Sequence, residues 1–183
     1  EVIGTMGQVN SKIYLVEKIE DVKNIPINVD KEIAYVTQTT LSIDDTKDIV
    51  KEIKNHFNNV IEPKKNDICY ATTNRQEAVK KIAANCDYFL VIGASNSSNS
   101  LRLVEVAKNY GSKKAILVED VDSLNLNIFE NSQNIGITAS ASSPEVLVKK
   151  LLDKLKNSFE LKVNEAHYQK EDVYFKVPEK LKN

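Results

Sequence analysis

Tyr88-Phe89-Leu90-Val91-Ile92-Gly93-Ala94-Ser95-Asn96-Ser97-Ser98-Asn99-Ser100 sets five consecutive apolar residues ahead of a turn of hydroxyls and amides, with a helical pattern starting at about Ser98. Strand, turn and helix in that order form the unit of α/β architecture, and the unit recurs along the chain. Further β-type runs lie at 13–16, 33–36, Val60–Ile61, 115–118 and 135–138. Between them, Val50, Ile53 and Phe57 share a helical face after Ser42, and Val79, Ile82, Ala83 and Cys86 share another after Thr73. The helix over 98–110 turns Leu103, Ala107 and Tyr110 to the core, and Gly111 is placed to end it in the left-handed conformation. A last helix opens at Ser143-Pro144, where proline suits the first helical position, and Leu147, Leu151 and Leu155 line its buried face. The expected fold class is α/β with mainly parallel sheets.

Composition narrows the range of functions. With 42% apolar residues in 183, the chain can bury a core as one or two domains. Its 25 basic and 26 acidic groups nearly cancel and form no Lys/Arg-rich stripe. Affinity for a phosphate backbone comes from clustered cations, so nucleic acid is not an expected partner. The longest apolar run, five residues at Tyr88–Ile92, falls well short of the roughly 18 that a membrane-spanning helix requires, so no membrane is expected either. Two cysteines, Cys69 and Cys86, are too few for a disulfide framework and point to a reducing compartment. The chain opens at Glu1 without a signal-type segment and is expected to be a fragment or a processed piece. Glu62-Pro63-Lys64-Lys65-Asn66-Asp67 is the expected boundary between two α/β lobes, 1–65 and 66–164. The charged stretch 165–183, which alternates like an edge strand at 173–177 before Pro178, is expected to pack back on them as a tail.

Four expected strand-to-helix turns share one chemistry: Thr37-Gln38-Thr39-Thr40, Tyr70-Ala71-Thr72-Thr73-Asn74, Ser95-Asn96-Ser97-Ser98-Asn99 and Ser140-Ala141-Ser142-Ser143. In an open parallel sheet such turns gather at the carboxyl edge of the strands, where ligands bind. Helix N-termini offer unpaired N–H groups and the positive end of the dipole, so added hydroxyls and amides make a site for a phosphate or diphosphate without Lys or Arg. Each turn taken singly is also an ordinary helix cap. Four together, one with two consecutive serines and two asparagines, exceed what capping needs.

Cys69 directly precedes one of these turns, and a helix N-terminus favours the thiolate form that binds metal or attacks. A buried structural cysteine is the alternative there, and Cys86, on an apolar helix face, reads as core. His56 and His167 have no ligand-like spacing and read as surface residues. The Glu119-Asp120 pair reads as a solvated helix start. No Gly-x-x-x-x-Gly-Lys loop, Gly-x-Gly-x-x-Gly fingerprint, Gly-x-Ser-x-Gly elbow or His-Glu-x-x-His helix is present.

Read together, several long motifs resemble the 4-hydroxy-3-methylbut-2-enyl diphosphate reductase family over most of the chain. They are Glu1-Val2-Ile3-Gly4-Thr5-Met6-Gly7-Gln8, Val36-Thr37-Gln38-Thr39-Thr40-Leu41-Ser42, Asp67-Ile68-Cys69-Tyr70-Ala71-Thr72-Thr73-Asn74-Arg75-Gln76 and Ser97-Ser98-Asn99-Ser100. Ile137-Thr138-Ala139-Ser140-Ala141-Ser142-Ser143-Pro144 and the closing Phe175-Lys176-Val177-Pro178 complete the set. The resemblance implies two of three α/β lobes around a 4Fe-4S cluster held by three cysteines, one per lobe, of which Cys69 matches the third. It implies that Ser97, Ser98, Asn99 and Ser142 bind the diphosphate, that Thr39 contacts the substrate near its reacting hydroxyl, and that Glu1 delivers protons as that hydroxyl leaves as water. It further implies a ferredoxin or flavodoxin type electron donor, an amino-terminal segment carrying the other two cysteines and the family's three histidines, and a plastid-type organelle or a bacterial cytoplasm. Reductive dehydroxylation needs two electrons, a Lewis-acidic iron and a carboxylic acid near the departing oxygen, which matches these residue types. The alternatives are a cluster-free diphosphate-binding module on the same turns and a receiver-like domain acting through Glu119 and Asp120.

Overall fold

The computed structural model describes residues 2–63, 67–166, 174 and 176–181. It contains two parallel sheets, one before residue 64 and one after residue 66. The first pairs β1 (Ile33–Ala34) with β2 (Val60–Ile61), and the chain between them forms α3 (Ile43–His56). Two short helices, α1 (Val2–Met6) and α2 (Ile19–Lys23), come first. Val22 of α2 packs with Ile53 and Phe57 into a small core that also takes in Val16, Ile33 and Val60.

The second sheet holds β3 (Tyr88–Ile92) between β4 (Lys114–Val118) and β5 (Ile135–Ala139), all parallel. Helix α4 (Tyr70–Ile82) precedes it, α5 (Ser98–Asn109) joins β3 to β4, and α6 (Glu145–Ser158) follows β5. Both faces of β3 are covered. Phe89 and Val91 meet Val79, Leu103 and Ala107 of α4 and α5, whereas Leu90 and Ile92 meet Leu151 and Leu155 of α6. A strand buried on both sides has no polar face, which is why 88–92 reads as one unbroken apolar run. No helix among the described residues is long and apolar enough to cross a membrane.

Several expectations need correction. Residues 13–16 are not a strand; Val16 serves the small core by packing alone, and β1 pairs only with β2. Of 33–36, only Ile33–Ala34 joins the ladder, because the chain turns away and leaves Val36 67% exposed. Helix α4 starts at Tyr70, so 70–74 is its first turn and not a loop. The threonines there tolerate helix because the Thr73 hydroxyl donates back to the Cys69 carbonyl at 3.4 Å while Thr72 is buried. Pro144 caps α6 from outside instead of occupying its first turn. Tyr110 is exposed and donates its hydroxyl to Asp44 Oδ2 at 2.7 Å. Glu119 and Asp120 start no helix; Asp120 instead accepts from the backbone N–H groups of Asp122 (2.9 Å) and Ser123 (3.2 Å), closing a turn. His56 is half-buried, edge-on to Phe57 at 4.8 Å. Gly111 does take φ +100° after α5, as expected. In the expected tail strand, Val173 and Phe175 lie outside the described residues, as does His167, and Tyr174, Lys176 and Val177 are irregular and exposed.

Polar pairs join the two halves. Asp44, in the first turn of α3, receives Lys80 of α4 at 2.5 Å as well as Tyr110, and Asp45 receives Arg102 of α5 at 2.8 Å. Burial disfavours the Lys80 ammonium, yet the carboxylates of Asp44 and Glu77 outweigh it and hold Lys80 more basic than an ordinary lysine.

Asp87 ties the amino-terminal ends of the second sheet. Its carboxylate accepts from Lys113 Nζ at 2.6 Å before β4, and from the N–H groups of Gln133 (2.8 Å) and Asn134 (3.1 Å) before β5. Lys113 first, then these backbone donors, draw its pKa from 3.8 down to about 2. A carboxylate acidified by folding adds stability that is present above 3.8 and lost as pH falls toward about 2. Asp87→Asn is therefore expected to flatten the acid limb of the stability profile in that window, read by urea unfolding at stepped pH. A limb as steep as in the parent would contradict the clamp.

Candidate functional site

The chain leaves β3 through α5 to reach β4 on one side, then crosses to β5 on the other side. Helices α5 and α6, which follow β3 and β5, consequently lie on opposite faces of the sheet. Such a reversal opens a crevice beyond the carboxyl ends of the two strands, the usual ligand position in open α/β sheets.

The two turns at this crevice are stitched to the strand ends. Ser140 N–H donates to the Ile92 carbonyl at 2.9 Å, and Ser143 Oγ donates to the same oxygen at 3.0 Å. Ser143 N–H closes on the Ser140 carbonyl at 2.9 Å, which leaves Ser142 exposed at the corner of the turn. On the β3 side, Ser97 caps α5 by accepting from Ser100 N–H at 3.3 Å, and Ser98 is exposed beside it. Gly93 lets these parts approach: a Cβ there would sit 2.2 Å from Ser100 Oγ and 3.2 Å from Ser140 Oγ.

Asn99 is the anomaly. It is only 8% exposed, yet neither its amide nitrogen nor its amide oxygen has a hydrogen-bond partner. The Ser100 hydroxyl is likewise buried without one. A buried polar group left unpaired is expensive, so such groups are rare. The first turn of α5 also carries no acidic residue, which leaves the positive end of its dipole for an anion.

Cys69 stands at the cap of α4, half-buried and with no capping bond from its thiol. Its N–H donates to the Thr39 carbonyl at 3.0 Å, so the turn at 38–41 and the head of α4 are held together. Thr39 is exposed in that turn. Farther along α4, Arg75 lines a cleft of about 300 Å³ together with Thr138, Ser140, Ser143 and Glu145. Cys86 stands apart: it is 7% exposed, and burial pushes its thiol pKa up. Among the described residues, no group of three or more His, Cys, Asp or Glu side chains could hold a metal ion. Glu1 lies outside the described residues.

Ser97, Ser98, Asn99 and Ser142 thus meet at one strand edge, and Thr39 meets Cys69 at the head of α4. Gly93, Ser100, Ser140 and Arg75 were not singled out from the sequence as site residues. A glycine directly after the buried strand was the available signal for the first. Glu119 also belongs here: it accepts from Ser95 N–H at 2.8 Å, and the Ser95 hydroxyl and N–H keep its carboxyl more acidic than usual.

The family model for LytB protein matches residues 1–156 of the chain. The chain belongs to the LytB family. This LytB chain is 47% identical over 183 residues to the 4-hydroxy-3-methylbut-2-enyl diphosphate reductase of Ruegeria sp. (strain TM1040), covering all of itself and 58% of that protein. It is 45% identical over 185 residues to the reductase of the same name from Actinobacillus succinogenes, again spanning 59% of the relative. The structure of E-1-hydroxy-2-methyl-but-2-enyl-4-diphosphate reductase from Plasmodium falciparum matches 92% of the chain at 36% identity with a TM-score of 0.79, over 55% of that protein. The LytB chain therefore spans somewhat more than half the length of the relatives it matches.

Two stability changes follow from the crevice. Replacing Asn99 by the similarly shaped leucine removes an unpaired buried amide, so Asn99→Leu is expected to stabilise the ligand-free protein by about 1–3 kcal/mol in urea unfolding. Gly93→Ala forces a methyl into Ser100 and is expected to destabilise it by about 1–3 kcal/mol in the same assay. Opposite signs would contradict the packing described.

Proposed function

We propose that the protein to which this chain contributes reduces 4-hydroxy-3-methylbut-2-enyl diphosphate to isopentenyl and dimethylallyl diphosphate. The C4–O bond breaks, two electrons and two protons are taken up, and the oxygen leaves as water. The unpaired Asn99 amide at the strand crevice carries this reading, and the names of the relatives supply the substrate.

Asn99, Ser97 and Ser98 at the head of α5 and Ser142 across the crevice would grip the diphosphate. Each supplies a donor, and the α5 dipole favours the charge, so the anion displaces no protein bond at Asn99. Thr39 sits on the turn tied to Cys69 and would contact the substrate at its reacting end, where Glu1 would deliver the proton. Cys69 fits as one thiolate ligand of a 4Fe-4S cluster, the remaining ligands coming from outside the described residues. Such a cluster, when bound, supplies the electrons and a Lewis-acidic iron for the C4 oxygen. A ferredoxin or flavodoxin type donor would recharge it.

The test is anaerobic iron–sulfur assembly of the complete natural polypeptide carrying these residues. Cys69→Ser is expected to lose the cluster's visible absorption and to drop turnover to background. Asn99→Leu is expected to keep the absorption while weakening inorganic diphosphate binding by about tenfold or more, the scale of a lost charged hydrogen bond. Diphosphate binding by a natural polypeptide that never takes up iron would instead establish a cluster-free binding module.

A further inference from the structure

Glu119 is out of place on electrostatic grounds. Its carboxylate stands exposed at the carboxyl end of β4, beside the turn that is to hold a diphosphate, where a negative charge repels the ligand. Its bond explains its presence. Three backbone N–H links fix the 93–97 turn from its base: Gly93 N–H to the Val118 carbonyl (3.2 Å), Ser95 N–H to Glu119 Oε1 (2.8 Å), and Ser97 N–H to the Ala94 carbonyl (3.0 Å). Only the middle link uses a side chain from another element.

Glu119 is itself held on both sides. Val118 before it and Val121 after it are each 3% exposed. Behind it, Asp120 closes the turn onto Asp122 and Ser123, and Lys154 of α6 reaches over to the carbonyls of Val121 (2.8 Å), Asp122 (2.8 Å) and Leu124 (2.9 Å). An ammonium filled by three carbonyls makes that loop a fixed platform. Ser95 is thus anchored to a rigid point, and the residues two to four positions later, Ser97, Ser98 and Asn99, are those of the diphosphate site proposed above.

We propose that Glu119 is a positioning residue for the diphosphate site, fixing the Ser95–Ser98 turn in its binding geometry before the ligand arrives. This rests on the diphosphate reading above. Preorganising donors strengthens binding because the ordering is completed in the free protein. The gain must exceed the repulsion between the Glu119 carboxylate and the ligand, so two accounts of Glu119 differ in sign. A bystander charge predicts that its removal tightens diphosphate binding, whereas the pin predicts that its removal weakens it.

The experiment is calorimetric titration of inorganic diphosphate into the complete natural polypeptide and its Glu119→Ala and Glu119→Gln variants, with amide hydrogen exchange followed at Ser95 and Ser97. Glutamine keeps an acceptor oxygen for Ser95 N–H and removes the charge. The pin predicts that Glu119→Ala weakens binding by about tenfold and speeds exchange at Ser95, while Glu119→Gln binds within about threefold of the parent and keeps the slow exchange. Unchanged or tighter binding by Glu119→Ala overturns the pin while leaving the site reading intact, as does a Gln variant as weak as the Ala variant. A parent protein that binds no diphosphate overturns the site reading and the pin together.

Discussion

The second half of this molecule depends on the double-sided burial of β3. Phe89 and Val91 fill one core and Leu90 and Ile92 the other, all at 0–1% exposure, so α4 and α5 are held on one face and α6 on the opposite one by a single five-residue strand. Burying a side chain of this size is worth about 1.5–3 kcal/mol, and four in succession fix the register of both neighbouring strands. The same strand delivers Gly93 to the crevice. Packing and site therefore meet at one residue, and the close approach that only glycine permits there brings the Ser100 and Ser140 hydroxyls to the strand end.

The two ends of this sheet are treated in opposite ways. At the amino end, Asp87 gathers a lysine and two backbone donors and leaves the edge satisfied. At the carboxyl end, serines tie the strands together while the Asn99 side-chain amide and the Ser100 hydroxyl stay buried without partners. Folding tolerates such groups only where the remaining structure is stable enough to hold them, and functional sites are where that happens. The clamp at one end and the twin cores in the middle provide that stability. The ion pairs from Asp44 and Asp45 to Lys80 and Arg102 then set α3 against α4 and α5, keeping Thr39 beside Cys69.

Much of this was legible in the chain, for identifiable reasons. A strand buried on both faces leaves an unbroken apolar run, so 88–92 matches the structure residue for residue. Gly111 marks the end of α5 because no other residue takes φ +100° without strain. The hydroxyl-rich turns after β3 and β5 were legible as well, because parallel strands bring the turns that follow them to one end of the sheet. What escaped was decided by long-range pairing. Residues 13–16 form a short apolar run of strand type but meet no ladder, and Thr72 and Thr73 look like a loop yet are drawn into helix by the burial of Thr72, Gln76 and Val79. Tyr110 has core chemistry, but its hydroxyl finds Asp44 sixty-six positions away. Glu119 resembled solvent-facing charge because its partner, Ser95, lies across the sheet edge rather than nearby in the chain.

The central claim is that the crevice between the ends of β3 and β5 holds the diphosphate. A crystal structure of the complete natural polypeptide grown with inorganic diphosphate tests it most directly. The account predicts the anion at the head of α5, within hydrogen-bond distance of the Asn99 amide and bridged to Ser142. Diphosphate bound elsewhere, with the Asn99 amide still unpaired, would contradict it.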